Sequence, residues 1–491
     1  MAYNMPQHGL ASMMKEGTTH FKGMEEAVYR NIEACKELAK STRSCYGPNG
    51  RNKMVINHLE KLFVTNDAAT ILKEVQVQHP AARIGVMASQ QQEEECGDGT
   101  NLVIILVGAL LEQAEELLRM GLSVAEVVDG YERAGKKALE LLPTLSCGKM
   151  EDFKSEQEVM KAVCSAIASK QYGNEFILGR LIAKACMMVM PDDKVMFNVD
   201  SVRVCKVLGA SLQQSEVVSG MVFKRLVESD IIRAEDAKIA IYACALDILQ
   251  TETKGTVLLK NADELMSFSK GEENLIEKQI KAIADAGVRV IVTGGKIGDL
   301  ALHFCNRYHI MTVRLMSKFD LRRVARMTGG TCLQRLNVPT PDELGYCSKV
   351  YQDEIGDQQL IVFKQDSKDA NVSTIVLRGA TENQMDDMER AIDDGVNTFK
   401  CLTKDNRLLA GAGAVEVELA RQLAEFGKKQ PGLDQYAIKK FAEALEDVPK
   451  ALADNCGVKS MELMAALHAA HQNGEKHAGF DIEVWEIFEN F

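Results

Sequence analysis

No stretch of this 491-residue chain stays apolar long enough to cross a bilayer. The longest run, Leu102 to Leu111, is followed by Glu112, Glu115 and Glu116, well short of the ~20 residues a spanning helix needs. It reads as a buried helix, and with no secretory leader in view no membrane association is expected. Excess positive charge is missing too: 58 Lys and Arg stand against 70 Asp and Glu, a net charge of -12. That balance repels a phosphate backbone, so nucleic acid is not an expected partner. The 13 cysteines, scattered from Cys35 to Cys456, contain no Cys-x-x-Cys pair and no zinc spacing, which points to reduced thiols and a cytoplasmic location. Proline is sparse, and no rigid linker marks a domain boundary.

The common nucleotide signatures are also missing. Gly294-Gly295-Lys296-Ile297 has Val290 where a P-loop needs its first glycine and Ile297 where it needs Ser or Thr. Gly411-Ala412-Gly413 is followed by Glu416, and Gly97-Asp98-Gly99 by Leu102, so neither completes a dinucleotide fingerprint. His468, His471 and His477 lack accompanying cysteine or acidic ligands and are expected on a helix surface rather than around zinc.

What the chain does have is a globular composition, 46% hydrophobic with 26% charge, and a length that exceeds one core and predicts several domains. Short glycine and aspartate loops stand at its two ends and not in its large middle. Near the start are Tyr46-Gly47-Pro48-Asn49-Gly50, Asn66-Asp67-Ala68-Ala69-Thr70 and Gly97-Asp98-Gly99-Thr100-Asn101; near the end are Asp394 and Gly411-Ala412-Gly413-Ala414. Such loops offer backbone N–H groups to phosphate and carboxylates to a metal. If both ends fold into one nucleotide site, the middle is an insertion carried by that site, the layout of an ATP-driven machine.

Apolar spacing predicts a helix over 24–41, strands at 53–57 and 61–65, a helix capped by Asn66-Asp67 and running toward Val75, and a long helix from Asn101 to about Met120. The middle, about 207–365, alternates strands such as 238–242 and 288–292 with amphipathic helices such as 277–286, an α/β domain of its own. Within it, 251–274 has the composition of a partly exposed, mobile helical arm. A strand at 373–377 and a helix over 386–399 carrying Asp393 and Asp394 follow.

These residues resemble the group II chaperonins. The family pattern Thr-Asn-Asp-Gly-Ala-Thr stands here as Thr65-Asn66-Asp67-Ala68-Ala69-Thr70, and Gly-Asp-Gly-Thr-Thr as Gly97-Asp98-Gly99-Thr100-Asn101. Further matches are Tyr46 to Lys53, Phe197-Asn198-Val199-Asp200, Thr251 to Gly255, Phe268 to Glu273, Arg378-Gly379 and Glu389 to Asp394. The resemblance covers about 10–483 and implies an α/β multidomain chaperonin fold: a mainly helical equatorial ATP-binding domain (1–144 and 407–491), a small intermediate domain (145–207 and 371–406), and an α/β apical substrate domain (208–370) with a helical protrusion near 251–274. It also implies a client-facing helix near Ser317 to Arg326. Partners would be other chaperonin subunits in a hetero-oligomeric double ring, and unfolded clients such as cytoskeletal proteins.

The same resemblance assigns chemistry to residues. Tyr46, Gly47, Pro48, Gly97, Gly99, Thr100 and Asn101 would wrap the phosphates of ATP or ADP, and Asp98 would hold Mg2+. Asp394 would be the catalytic base, aided by Asp67 in positioning or deprotonating the attacking water. Lys170 would sense the γ-phosphate, or else be a plain surface lysine. Gly411 and Gly413 would admit the ribose and base, with Ala412 interrupting the family's glycine run and crowding the nucleotide. Taken singly, Asp67 could equally be a helix cap, Asp98 a turn residue and Asp394 a solvated carboxylate. After Gly479-Phe480-Asp481 the family continues with a helix and a pairing strand, whereas here only 482–491 follow. That departure keeps open a second expectation, a truncated or divergent relative that is unstable and neither assembles nor hydrolyses ATP.

Overall fold

The computed structural model describes residues 24–191, 197–247, 261–356, 358–365, 372–482 and 487–488. The chain forms two compact units, one from Met1–Lys149 with Arg407–Phe491 and the other from Met150–Asn406.

The first unit is built from helices of both chain ends. Met24–Arg43 packs along Thr100–Arg119, and Val124–Leu141 and Thr100–Arg119 pack on Asp434–Leu445. Small residues let these backbones approach: a Cβ on Gly108 would sit 2.3 Å from that of Ala39, and one on Gly130 would sit 2.3 Å from that of Ala437. Ile104, Leu72, Ala68 and Val86 fill one cluster of the core, while Leu117, Val127 and Ala437 fill another. A third joins Val417, Leu452, Leu467 and Phe480, with Tyr46 packed against it. The hairpin Lys53–Ile56/Leu62–Thr65 is antiparallel, as its alternation predicts. So is a short ribbon of Ser146–Lys149 with Arg407–Leu409, at the point where the chain leaves this unit and returns to it. Gly479–Phe480 pairs antiparallel with Ile487–Phe488. The rest of the ending read as aberrant, 483–486 and 489–491, lies outside the described residues.

The second unit centres on a nine-stranded mixed sheet. Its path runs Val202–Leu208, Ser373–Gly379, Glu216–Phe223, Gln358–Lys364, Gly345–Ile355, Arg233–Tyr242, Val288–Thr293 and Met311–Arg314, with Cys332–Leu333 paired to Arg233–Tyr242. Ser373–Gly379 is buried on both faces and parallel to Val202–Leu208. Helices Glu156–Ala168, Glu175–Val189 and Glu382–Lys404 pack together beside it. Where this unit begins and ends, Met150 N donates to Asn406 O at 2.8 Å and Asn406 Nδ2 to Met150 O at 3.0 Å.

The P-loop look-alike has a packing origin. A Cβ on Gly294 would lie 2.6 Å from Leu321 Cδ1 and one on Gly295 would lie 2.5 Å from the Ala245 backbone, so these glycines let chain segments meet. The arm expected over 251–274 falls outside the described residues as far as 260; from Ala262 the chain is in the helix Ala262–Asp285. The helix Lys318–Thr328, capped by Ser317, covers the client-facing region inferred from the sequence. Among the described residues no helix is long and apolar enough to cross a membrane.

Candidate functional site

Two helices of the first unit begin in the same unusual way. Thr100–Arg119 is N-capped by Gly99 at φ +82° and Ala414–Lys428 by Gly413 at φ +81°, and neither cap has a side-chain hydrogen bond. Among the described N-caps these are the only two with positive φ. Left-handed backbone suits glycine, and an N-terminus without a side-chain cap presents its first amides, with the positive end of the helix dipole, to whatever anion lies in front.

The helix Asp447–Cys456 draws the flanking loops to one place. Its Leu452 lies 2.6 Å from where a Cβ of Gly47 would be, and its Pro449 lies 2.7 Å from where one of Gly413 would be. Its Asn455 Nδ2 donates to Tyr46 O at 2.7 Å and to Arg43 O at 2.9 Å. Positions 449 and 452 share a helix face, so the loop at Gly47-Pro48 and the loop at Gly411–Gly413 rest on one support. Burial, joined by the charges of Glu416 and Asp98, pushes the Tyr46 phenol well up, and burial raises the Glu416 carboxyl. Neither Asn455 nor this supporting helix was legible in the glycine motifs.

The aspartate turns are set differently. Asp67 is buried and caps the helix Ala68–Val75: Oδ2 accepts from Thr70 N at 2.9 Å and Thr70 Oγ1 at 2.7 Å, while Oδ1 accepts from Thr100 Oγ1 at 2.8 Å. One carboxylate thus fixes its own turn and the first residue of the uncapped helix. Asn101 Nδ2 donates to Asn66 O at 3.0 Å and Cys45 O at 3.2 Å, tying all three N-terminal loops together. Its Oδ1 is buried with no hydrogen-bond partner. Asp98 is partly exposed, its Oδ1 accepting from Gly99 N at 2.7 Å and its backbone carbonyl from Gln92 Nε2 at 2.9 Å. Gly97 closes the preceding helix, its N–H on Gln92 O at 3.3 Å.

This donor set fits a nucleotide with its magnesium: uncapped amides for phosphate, and one hard carboxylate, Asp98, for the ion. Among the described residues no group of three or more His, Cys, Asp or Glu could hold a metal by itself, so a magnesium ion there would depend on phosphate oxygens, its usual mode. Of two departures from the family pattern, Ala68 fits its place and Ala412 keeps a left-handed backbone that suits glycine better. Ala68 is a fully buried first helical residue. Ala412 takes φ +56°, and its methyl lies 3.1 Å from where a Cβ of Gly479 would be.

Lys170 and Asp394 belong to the second unit. Lys170 follows the helix Glu156–Ala168, its N–H on Ile167 O. Asp394, 5% exposed, sits within Glu382–Lys404. Nζ lies 2.6 Å from Asp394 Oδ2 with both side chains largely buried, so Lys170 is no plain surface lysine and Asp394 no solvated carboxylate. His468 does lie partly exposed, 3.4 Å from Glu446. The surface expected for His471 is corrected: this residue is buried and bonded to Glu418, because it falls on the apolar stripe of Leu463, Met464, Leu467 and Ala470.

Against known proteins, the family described as "TCP-1/cpn60 chaperonin family" matches residues 38–490. The chain is 59% identical over 484 residues to T-complex protein 1 subunit theta of Gallus gallus, covering 98% of this chain and 88% of that one. The theta subunit of Homo sapiens gives the same figures. That of Caenorhabditis elegans is 56% identical over 482 residues, again 98% and 88%.

Proposed function

Because this chain belongs to the TCP-1/cpn60 chaperonin family, we propose that it is an ATP-hydrolysing subunit of a hetero-oligomeric, double-ring cytosolic chaperonin. Its ATP cycle encloses unfolded clients, cytoskeletal proteins among them, and folds them. The observation that carries the nucleotide reading is the pair of left-handed glycine N-caps, Gly99 and Gly413, that open two helices without a side-chain cap. A relative that neither assembles nor hydrolyses is not favoured at 59% identity over 98% of the chain.

In this reading Gly47, Pro48, Gly97, Gly99, Thr100 and Asn101 wrap the phosphates, Pro48 by shaping the turn since it has no N–H to donate, and Tyr46 walls the pocket, while Gly411 and Gly413 pass the ribose and base. Asp98 holds Mg2+, which when bound offsets phosphate charge. Asp67 keeps Thr100 oriented and, with Asp394, positions the water. Lys170, ion-paired with Asp394, takes the role of γ-phosphate sensor that the resemblance implies. The equatorial, intermediate and apical boundaries proposed from the resemblance stand with it.

The client surface is proposed around Lys318–Thr328. Phe319 is 68% and Met316 61% exposed, and Lys318, Arg322 and Arg326 are exposed beside them. Apolar groups among cations suit unfolded segments that carry both apolar and acidic residues.

The deciding experiment is native mass measurement of the tagged chain recovered from cytosol, with and without ATP. A megadalton ring that takes up this chain and labels it with 8-azido-ATP is the expected result. A monomer or an aggregate would sink the proposal.

A further inference from the structure

Two fully enclosed titratable side chains of the first unit are not used by the reading above. Glu418 and His471 are both fully buried at the side chain. Glu418 Oε1 accepts from Arg421 Nη2 at 2.6 Å and Gln422 Nε2 at 2.7 Å; Oε2 accepts from Arg421 Nε at 3.0 Å and lies 3.1 Å from His471 Nδ1. On the far side of the ring, His471 Nε2 lies 3.0 Å from Ala478 O. A carboxylate and a carbonyl are both acceptors, so each ring nitrogen of His471 faces one. Burying charges is costly unless geometry is good and partners are complete, so an arrangement this complete, with no catalytic duty, needs a reason.

The connections supply one. Ala478 leads directly into Gly479 and Phe480, and Phe480 N donates to Ala412 O at 3.1 Å. A Cβ on Gly479 would lie 3.1 Å from Gly411 O and from the Ala412 methyl. Phe480 then enters the cluster that holds Leu452 and Tyr46. The bonds therefore form a circuit. Glu418, in the second turn of Ala414–Lys428, grips His471; His471 grips Ala478; the strand after Ala478 grips Ala412; and Ala412 precedes the glycine that caps the helix bearing Glu418. Ala412 is held in a left-handed conformation that costs a non-glycine residue about 1–2 kcal/mol, so something must hold the loop in place.

We propose that Glu418 and His471 are positioning residues for nucleotide binding, a buried tie that braces the Gly411–Gly413 loop from behind through the strand Gly479–Phe480. The tie rests on the nucleotide reading above and adds to it a determinant of affinity that touches no nucleotide. Its two arms are not equivalent, because the Nε2 arm alone reaches the strand behind the loop. A glutamine amide at position 471 can take the place of Nε2 and an asparagine amide that of Nδ1, which allows the arms to be cut separately.

The test is 8-azido-ATP photolabelling, with Mg2+, of this subunit inside purified rings, titrated to half-saturation. His471→Ala and His471→Asn should raise the half-saturating concentration about tenfold. Glu418→Gln should raise it less, and His471→Gln should stay within about twofold of the unaltered chain. Leu117→Ala, which empties a cluster apart from the loops, serves as the control for lost stability, since its half-saturation should not move. Equal half-saturation in His471→Asn and the unaltered chain would overturn the tie, as would an equal loss in Leu117→Ala. If a His471 variant fails to enter rings, the Glu418→Gln comparison decides alone. An unaltered chain that is never labelled would remove the nucleotide reading itself, a result distinct from either.

Discussion

The glycine loops of the first unit and the Lys170–Asp394 pair of the second are built from opposite materials. The loops work with backbone: amides aimed by glycines at φ +82° and +81°, with side chains packed behind them. The pair works with formal charge, an ammonium 2.6 Å from a carboxylate, both largely buried. A backbone site tolerates drift in its side chains but not an added methyl group. A charge site tolerates neighbouring drift but not the loss of one proton acceptor. The smallest chemical change should therefore damage binding in one region and turnover in the other.

The largest effect should come from Asp394→Asn, which keeps an oxygen for Lys170. Turnover in rings should fall about 10²–10⁴-fold, the range for a lost general base, with nucleotide affinity within about threefold. Unchanged single-turnover hydrolysis would break the contrast. Asp394→Ala is a poorer probe, since stranding a buried ammonium costs about 3–5 kcal/mol.

Next comes Gly413→Ala. The new methyl would meet Pro449 at 2.7 Å in a left-handed conformation, so nucleotide affinity measured by equilibrium titration should drop about tenfold or more. Turnover at saturating ATP should fall much less. An equal fall in both would mean that the loop acts in the chemical step.

Acid offers a third, milder probe. Burial works against the Glu418 carboxylate, but hydrogen bonds from Arg421, Gln422 and His471, with the Arg421 charge, hold it below the usual carboxylate range. A depressed carboxyl adds stability that is present above its unfolded value of about 4.3 and is lost as pH falls through the lower folded value. Melting temperature should therefore drop more steeply below about pH 4.3 in the unaltered chain than in Glu418→Gln. Parallel curves would contradict the assignment.

The smallest effect belongs to Ala412→Gly. Relief of left-handed strain, about 1–2 kcal/mol, is partly offset by the greater freedom of unfolded glycine, about 0.5–1 kcal/mol, so thermal unfolding should shift by only a degree or two upward. A tenfold gain in nucleotide affinity would show instead that the methyl crowds the ligand.

How much was readable in the sequence follows the same division. The Asp67 cap, the first hairpin and the helix after Gly99 rest on neighbours a few residues away, so local pattern finds them. Lys170 and Asp394 are joined only by the fold, and the resemblance rather than any spacing singled them out. Asn455 and Leu452 act on a loop hundreds of residues distant, and no motif announces them. His471 was within reach: counting back to Leu467 and Leu463 places it on the buried stripe, which His468 misses. The ribbon strand Ser146-Cys-Gly-Lys149 has almost no β-forming residues and exists because Arg407–Leu409 lies beside it.

The ribbon also bears on the order of synthesis. Residues 150–406 are continuous in the chain, whereas the first unit needs both ends and cannot close until Arg407 and the residues beyond it have been made. An unstructured segment of that length would leave the two halves of the ribbon far apart and slow to meet. Once folded, the insert holds Met150 and Asn406 within 2.8 Å of each other, and the emerging Arg407 starts next to the waiting Lys149. The inserted unit is thus a template for finishing the unit that carries it.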